Sequence, residues 1–341
     1  MTRSFAAQLL DSEPRTRATM NRSMVFFSLW LLVLTPLVFP IDPLPSAERV
    51  TIASVSPGLF EFPLVVASKK GFFKEENLEV VKVQMQPQIS VMALVAGDVD
   101  YSLSWGSSLR AVISGLPLKV VAGIAHRPLH VLMARTNIKS GKDLKGRKIG
   151  VDSFAGTMEY LSRVAVRHFG LDPDRDVNIV ISGSSPTRLA ALQAEAIDAT
   201  PVDIAYAVKG EEAGLRRLIN FADILDLPIS GVSVTEKKLS TDRDQVKRVI
   251  RAILKGTRFM KDNREATIDF MSDALNISAS QAARSYDVSM SSFSDDGYIP
   301  EKGLMLNIQL TKERLKIARE VPLNQVVDWS LLSEIKPQRR K

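Results

Sequence analysis

Two kinds of hydrophobic pattern alternate along most of this chain. Segments with the apolar pattern of a strand, such as "RVTIASV" and "LEVVKVQM", precede segments with helical spacing, such as "LFEFPLVVASKKG" and "ISVMALVAG". "DYSLS", "SSLRAVISG" and "LKVVAGI" then continue the same order. A regular alternation of strands and helices predicts parallel sheets with helices on both faces.

This pattern is duplicated at an offset of 98 residues. The offset places Arg147 on Arg49, Gly156 on Gly58, and "ALQAEAIDAT" on "ALVAGDVDYS". The second copy contains "RKIGV", "TMEYLSRVAVRHFG", "VNIVIS", "PTRLAALQA", "DATPV" and "IAYAVKGEEAG". Because 341 residues exceed the usual size of a single core, we predict two α/β lobes of one design.

After Gly231 the pattern becomes helical. "TDRDQVKRVIRAILKGTRFMKDN" carries an apolar stripe at helical spacing. Capping boxes are predicted at Thr241 with Asp244 and at Ser278 with Gln281. We expect these helices to pack on the first lobe.

The predicted divisions therefore follow the order of the patterns. They are a first lobe at 48–130, a second lobe at 131–230, a return to the first lobe at 231–330, and a basic tail at 331–341. Two crossings between two lobes imply a cleft that opens and closes. The carboxyl ends of both sheets are expected to face this cleft.

The first fifty residues have the pattern of an exported protein. An uncharged apolar run, "MVFFSLWLLVLTPLVF", follows Arg15, Arg17 and Arg22 and precedes a small residue, Ala47, where a signal peptidase can cut. We predict a signal peptide at 1–47, a mature chain from Glu48 and a location in the periplasm. An uncleaved leader that serves as an anchor is the alternative.

Composition excludes several classes of function. The chain has no cysteine, which excludes disulfides and thiolate metal sites. The net charge of +7 includes four charges in the last six residues, so we predict no nucleic-acid-binding face. Pro128 places His126 and His130 on a strand and turn, and we predict neither a metal site nor a cofactor. The motifs of P-loops, dinucleotide sites and serine hydrolases are absent, so no enzyme is predicted.

The predicted strand-to-helix junctions are rich in small, hydroxylated and aromatic residues. A helix start leaves N–H groups unpaired and carries partial positive charge, so it can bind a small anion or a carbonyl group. Glycines allow close approach, hydroxyls donate hydrogen bonds and rings form apolar walls. The residues expected in these roles are Gly58, Gly106 and Gly156; Ser56, Ser107, Ser153 and Thr157; and Phe60, Trp105, Phe154 and Tyr206.

Structural roles remain open for the polar members of these junctions. The same hydroxyl side chains are typical helix N-caps. Asp152 and Asp203 can either cap a helix or bind an amino group of a ligand. Glu61 and Glu159 are equivalent in the two copies, and a carboxylate in a first helical turn favours the helix dipole.

Six segments together resemble a known family. "KKGFFKEENLEV", "ALVAGDVDYSLSW", "PLKVVAGI", "LKGRKIGVDSFAGT", "FGLDPDRDVNIV" and "ALQAEAIDATPVD" are similar to solute-binding proteins of ABC importers for nitrate, sulfonates, taurine and related solutes. The same superfamily holds binding proteins for thiamine pyrimidine precursors. The resemblance runs in order from Arg49 to Thr235.

The resemblance implies a two-lobed type II periplasmic binding protein fold, with a mostly parallel sheet and flanking helices in each lobe. It implies a monomer that closes around one small organic solute or oxyanion and presents it to a membrane permease. The ligand-binding residues that it implies are Ser56, Pro57, Gly58, Leu59, Phe60, Trp105, Gly106, Ser107, Ser153, Phe154, Ala155, Gly156, Thr157, Pro201, Val202 and Asp203.

Two other functions are compatible with the same scaffold. One is an enzyme related to pyrimidine synthases, although those family members rely on a cysteine-rich segment that this chain lacks. The other is a sensory binding module tethered by an uncut leader. Large rings in "SWG" and "VDSFAG" indicate a narrower or more apolar pocket than a bare nitrate needs.

Overall fold

The computed structural model describes residues 46–55, 58–154 and 156–335. Nearly all of the predicted signal peptide and the basic residues 336–341 therefore lie outside the described residues. No helix within the described ranges has both the length and the apolar character needed to cross a membrane.

The described chain contains ten strands. They are β1 (Glu48–Ser54), β2 (Leu78–Gln84), β3 (Tyr101–Ser102), β4 (Leu118–Ala125), β5 (His130–Ala134), β6 (Lys148–Val151), β7 (Asn178–Ile181), β8 (Ala199–Asp203), β9 (Arg216–Asn220) and β10 (Ser230–Thr235).

The helices flank these strands and continue beyond the last one. They are α1 (Phe62–Lys69), α2 (Phe72–Glu75), α3 (Pro87–Ala96), α4 (Trp105–Ile113), α5 (Thr157–His168), α6 (Ser185–Gln193), α7 (Ile204–Glu212), α8 (Glu236–Thr241), α9 (Arg243–Asp262), α10 (Arg264–Leu275), α11 (Ala279–Ser289), α12 (Glu301–Leu315), α13 (Leu323–Val326) and α14 (Ser330–Glu334).

The strands form two sheets of the same design. The first has the order β2-β1-β3-β10-β4 and the second the order β7-β6-β8-β5-β9. β10 runs antiparallel to β3 and β4, and β5 runs antiparallel to β8 and β9. Four strands of each sheet share one direction, so the predicted α/β class with mostly parallel sheets is confirmed.

The exceptional strand of each sheet is the one that follows a crossing. β5 enters the second sheet after β4, and β10 re-enters the first sheet after β9. The sequence pattern did not predict β9 or β10. β9 (RRLIN) begins with two arginines, and β10 (SGVSVT) is rich in small hydroxylated residues and has only two large apolar side chains, Val232 and Val234, so the apolar signal of both strands is weak.

The long helix α9 packs on α1 beside the first sheet. Its predicted stripe is buried, including Val246, Val249, Ile250, Ile253 and Met260. These residues share one core with β1 and α1, so the amphipathic pattern was interpreted correctly.

The two predicted helix starts differ in outcome. The capping box of Ser278 and Gln281 is present, with Gln281 N donating to Ser278 Oγ at 3.1 Å. The predicted box of Thr241 and Asp244 is wrong, because Thr241 is the last residue of α8 and Asp242 precedes α9 without a side-chain cap. The short helix α8 ends one residue before Asp242, the residue that precedes α9, so Thr241 is part of a helix and cannot cap the next one.

The C-terminal helices pack beside both sheets. α9 lies against the first sheet, but α11 packs on α7, which follows strand β8 of the second sheet. Arg284 of α11 also pairs with Glu211 of α7 at 3.0 Å. Residues 331–335, expected in a basic tail, belong largely to α14, where Leu331 and Leu332 are buried.

Candidate functional site

A cavity opens where the ends of the two sheets meet. Its wall includes Val55 after β1, Leu103 after β3, Asp152 after β6 and His130 at the start of the antiparallel β5. Its empty space is about 460 Å³, including the mouth. This cleft cavity is lined by Val55, Phe60, Pro87, Leu103, Ser104, Trp105, Ser107, His130, Asp152, Thr157, Met158, Ser185, Arg188 and Ile229.

Two aromatic side chains form much of the apolar wall. Phe60 follows β1 and is half-buried, whereas Trp105, the first residue of α4, is 1% exposed. A Cβ atom on Gly231 would lie 2.7 Å from the indole ring, so only glycine there leaves room for Trp105. The indole is thus fixed by β10 and presents a rigid surface to the cavity.

His130 supplies an uncharged polar group. It lies opposite Asp203 in the register of β5 and β8, which brings the amino end of β5 to the cavity. Burial, and next the charge of Arg188, lower the pKa of His130 to about 3, so its imidazole is neutral at pH 7. Its Nδ1 has no hydrogen-bond partner among the described residues. Ser104 Oγ, also in the cavity wall, is buried and likewise lacks a described partner.

Arg188 places a positive charge at the base of the cavity. Its side chain is 1% exposed, and its Nε donates to Thr200 Oγ1 at 3.0 Å. Its Nη2 donates to Pro201 O at 3.0 Å and to Ser185 Oγ at 3.1 Å. Burial lowers the pKa of Arg188 to about 10, yet the group remains charged at pH 7. Protein acceptors engage these nitrogens, so the guanidinium acts chiefly through its field.

Asp152 lies beside this cation and does not cap a helix. It is buried, and Ser153 Oγ donates to its Oδ1 at 3.4 Å. The residue before α5 is Gly156, with no side-chain cap. Burial raises the pKa of Asp152, while the charge of Arg188 opposes the rise. Asp152 therefore offers the cavity a hydrogen-bonding carboxyl group.

Asp203, in contrast, has a structural role outside the cavity wall. It caps α7 by accepting a hydrogen bond from Ala205 N at 2.9 Å. Its other oxygen accepts a hydrogen bond from Leu59 N at 2.6 Å. The carboxyl group thus joins the end of β8 in the second sheet to the loop after β1 in the first.

The structure divides the predicted site residues into groups. Phe60, Trp105, Ser107 and Thr157 line the cleft cavity, and Gly106 and Gly156 line a neighbouring pocket. Phe154 is 51% exposed and lines neither space. The residues that line neither space are Gly58, Leu59, Ser153, Pro201, Val202, Asp203 and the ring candidate Tyr206. Ser56, Pro57 and Ala155 lie outside the described residues.

Glu61 and Glu159 are buried in paired surroundings. Glu61 accepts from Lys82 Nζ at 3.0 Å, and burial raises the pKa of Glu61. Glu159 accepts from Arg163 Nε at 2.8 Å and also pairs with Arg314. Both carboxylates lie at helix starts as predicted, but ion pairs also hold them.

His130 and Arg188 are two polar site residues that sequence reasoning missed, and the apolar wall residues Val55, Pro87, Leu103, Met158 and Ile229 were also not predicted. Arg188 lies within an ordinary helical pattern, where an arginine is typical of a solvent-exposed face. For His130 the sequence favours local packing or hydrogen bonding over metal binding, without indicating a place in the site, and the described residues contain no group of three or more His, Asp or Glu side chains that could hold a metal ion.

Sequence comparison finds a binding protein and an enzyme among the proteins that are similar to this chain. Riboflavin-binding protein RibY of Chloroflexus aurantiacus is 27% identical over 238 residues, which are 66% of this chain and 66% of RibY. The chain thus spans just under two thirds of that relative. A 4-amino-5-hydroxymethyl-2-methylpyrimidine phosphate synthase of Candida albicans is 22% identical over 229 residues, which are 62% of this chain and 67% of the synthase.

Solved structures share the architecture. The alkanesulfonate-binding protein SsuA of Xanthomonas axonopodis pv. citri, bound to MOPS, superimposes with a TM-score of 0.67 at 15% identity. The match covers 83% of this chain and 96% of SsuA. The predicted periplasmic binding protein fold is thereby confirmed. A family model described as NMT1/THI5 like matches residues 61–267, more than half of the chain, and the protein therefore belongs to the NMT1/THI5 like family.

Proposed function

We propose that this protein is the solute-binding component of an ABC importer. In this function it captures a small organic solute in the cleft cavity and delivers it to a permease in the membrane. The observation that carries the proposal is the cavity itself, which combines side chains from both sheets with buried polar atoms that lack described partners. The names of RibY and SsuA, a riboflavin-binding and an alkanesulfonate-binding protein, support the same class of function.

The cavity favours a solute with a flat or apolar part. Phe60 and Trp105 provide rings against which such a part can pack. His130 Nδ1 and Ser104 Oγ can hydrogen-bond to groups at its edge. A bare nitrate fits this chemistry poorly, since it would leave the ring surfaces without an apolar partner and Arg188 already donates to protein acceptors. We therefore assign the cavity to a small organic molecule rather than to a simple inorganic ion.

Capture requires that the two sheets approach each other around the solute. The segments that connect them contain Arg127 and Asp226, whose side chains lie 3.5 Å apart. The hydrogen bond from Leu59 N to Asp203 adds a second connection, made when the sheet ends are close together. A solute that contacts both sides favours this closed arrangement by its differential affinity. A permease could then distinguish the loaded from the empty protein.

The same proposal includes export to the periplasm by the predicted signal peptide and action as a monomer. The enzyme alternative is not favoured, because the cleft cavity lacks a described nucleophile activated by a hydrogen-bonded base. The cavity serines Ser104, Ser107 and Ser185 make no described hydrogen bond to His130. We therefore infer a binding protein that releases its solute unchanged.

A ligand screen tests this function. Purified mature protein is heated with small sulfonates, carboxylates, pyrimidines and flavins, and stabilisation is measured. A solute at 100 times its dissociation constant adds about 2.7 kcal/mol to the free energy of unfolding. Recovery of the unchanged compound after binding is expected. Chemical conversion of a stabilising compound would instead establish an enzyme.

A further inference from the structure

A second pocket adjoins the cleft cavity. Trp105, Thr157 and Ile229 line both spaces and therefore form the partition between them. The empty space of this second pocket is about 450 Å³, including its mouth. We name it the arginine pocket, after Arg110 of α4 and Arg314 of α12 in its wall. It also includes the start of α5, so it combines elements beside both sheets.

Arg110 lies in the field of the Glu159 carboxylate, which also pairs with Arg163 and Arg314. The Arg110 guanidinium is partly buried. Its Nη2 donates to Ser107 Oγ at a long 3.5 Å, whereas its buried Nη1 has no described partner. Burial, and next the charge of Arg314, lower the pKa of Arg110, while the charge of Glu159 opposes this shift. A buried donor on a cation costs free energy unless an acceptor satisfies it.

Tyr160 provides a second unsatisfied donor in the same wall. It lies in the first turn of α5, and its buried hydroxyl has no partner among the described residues. Burial raises the pKa of Tyr160 to about 12, so the hydroxyl keeps its proton at neutral pH. The protonated hydroxyl can donate a hydrogen bond to an anion and carries no negative charge that would repel it.

The remaining wall is compatible with negative charge. Gly156 and Thr157 begin the twelve-residue helix α5, and a helix start carries partial positive charge with N–H groups free of intrahelical partners. Arg314 adds a second guanidinium, whose Nη2 pairs with Glu159. Thr311 contributes a hydroxyl, which already donates to Asn307 O at 2.8 Å. The lining thus places the guanidiniums of Arg110 and Arg314 in one wall, with the carboxylates of Glu159 and Glu313 acting on it from nearby.

We propose that the arginine pocket binds an oxyanion, which accepts hydrogen bonds from Arg110 Nη1 and Tyr160 Oη. The anion is a sulfate, phosphate, sulfonate or carboxylate group, either free or carried by the organic solute of the cleft cavity. The second source, an acid group carried by the organic solute, rests on the proposed function, whereas binding of a free anion does not. An anion in this place contacts α4 and α5, which flank different sheets, and so favours the closed arrangement.

Binding of inorganic sulfate and phosphate to the mature protein tests the proposal. Calorimetry and thermal unfolding are performed at constant ionic strength, with chloride as the reference anion. Saturable binding is expected in the unmodified protein. Arg110→Gln should raise the dissociation constant at least tenfold, and Tyr160→Phe should raise it several-fold. Arg216→Gln removes an exposed arginine of β9 and should leave binding unchanged.

The stability of the anion-free variants provides an independent measurement. Since Arg110 Nη1 and Tyr160 Oη lack partners, Arg110→Gln and Tyr160→Phe should unfold at the same temperature as the parent or higher. A purely structural role predicts the opposite, a loss of stability in both. The proposal is overturned if sulfate and phosphate bind no more tightly than chloride. It is also overturned if the parent and Arg110→Gln bind these anions with equal affinity.

Competition distinguishes the two sources of the anion. Ethanesulfonate and phenyl phosphate are added to protein saturated with sulfate. Displacement that depends on Arg110, with tighter binding than sulfate, assigns the pocket to an acid group of the solute. Binding of inorganic anions without such displacement assigns it to a free anion. The anion-binding and competition assays use neither the permease nor a solute from the screen. Their results therefore test the arginine pocket even if the proposed import function is wrong.

Discussion

The carboxyl group of Asp203, at the end of β8, accepts a hydrogen bond from Leu59 N in the loop after β1. This single bond of 2.6 Å joins the two sheets beside the cleft cavity. A Cβ atom on Gly58 would lie 2.8 Å from the same carboxylate oxygen, so the loop passes Asp203 at a distance that suits glycine. The sheet ends therefore meet through a buried acid as well as through the proposed solute.

The contribution of Asp203 to stability should decrease as the pH rises. Burial raises its folded-state pKa to about 7, above the ordinary value of 3.8. The contribution is therefore fully present below about pH 4 and lost as the pH passes 7, with a slope of up to about 1.4 kcal/mol per pH unit. Denaturant unfolding of the parent and Asp203→Asn from pH 4 to 8 measures the difference. A pH-independent difference would contradict the assignment.

His130 should have the opposite effect. Burial lowers its folded-state pKa to about 3, from an ordinary value of 6.5. Its contribution is present above pH 6.5 and decreases as the pH falls towards 3, because the unfolded chain takes up the proton more readily. His130→Gln cannot titrate, so the stability of the parent relative to this variant should fall between pH 6.5 and 4. An NMR titration that finds a His130 pKa near 6.5 would rule out this prediction.

The two phenylalanines predicted for the site should differ in effect. Phe60 lines the cleft cavity, whereas Phe154 is exposed and lines neither space. Phe60→Ala should raise the dissociation constant of a solute found in the screen at least tenfold, about 1.4 kcal/mol, through lost ring contact. Phe154→Ala is the matched control and should change it less than twofold. If both variants lose affinity for the solute to the same extent, Phe154 is also part of the binding site.

Arg188 should be required for folding stability. Its guanidinium donates to Thr200 Oγ1, Pro201 O and Ser185 Oγ in a buried setting. Arg188→Leu leaves these acceptors unsatisfied and should cost about 3 kcal/mol or more in the free energy of unfolding. Arg167→Leu, at an exposed position of α5, should change it by less than about 0.5 kcal/mol. Denaturant unfolding compares the two variants, and similar costs would refute the assigned role.

Gly106 should control how closely the helices α4 and α5 approach. A Cβ atom at this position would lie 2.5 Å from Thr157 Oγ1, which is too close for an unshifted structure. Gly106→Ala should therefore separate the helices, weaken solute binding and enlarge the radius of gyration in X-ray scattering. Adding Thr157→Ala removes the conflicting oxygen and should restore the compact form. Lack of any rescue would indicate a different cause.

The repeat of 98 residues made most of the fold predictable. It related β1, β2 and β3 to β6, β7 and β8, and these strands have equivalent places in the two sheets. The exchange of β5 and β10 was not predictable, because their partners are distant in sequence. At the repeat offset β5 falls on residues 228–232 and overlaps β10, so the two strands correspond to each other, but the duplicated pattern does not show that each one pairs in the other sheet.

The candidate site was predictable only in part. Phe60, Trp105, Ser107 and Thr157 follow from their places at strand-to-helix junctions. Arg188 did not, because whether an arginine on a helix faces solvent or a cavity depends on tertiary packing. The same limit applies to Phe154, whose ring faces solvent although a ring at a junction favours an apolar wall.

The place of β10 in the first sheet also determines the order in which the molecule can be completed. All strands of the second sheet lie in one uninterrupted stretch of sequence, from His130 to Asn220. In the first sheet, β3 and β4 are separated by β10, which emerges from the ribosome after the whole second sheet. During synthesis the earlier sheet therefore retains an unpaired inner edge, and a nascent chain halted before residue 230 exposes it to aggregation.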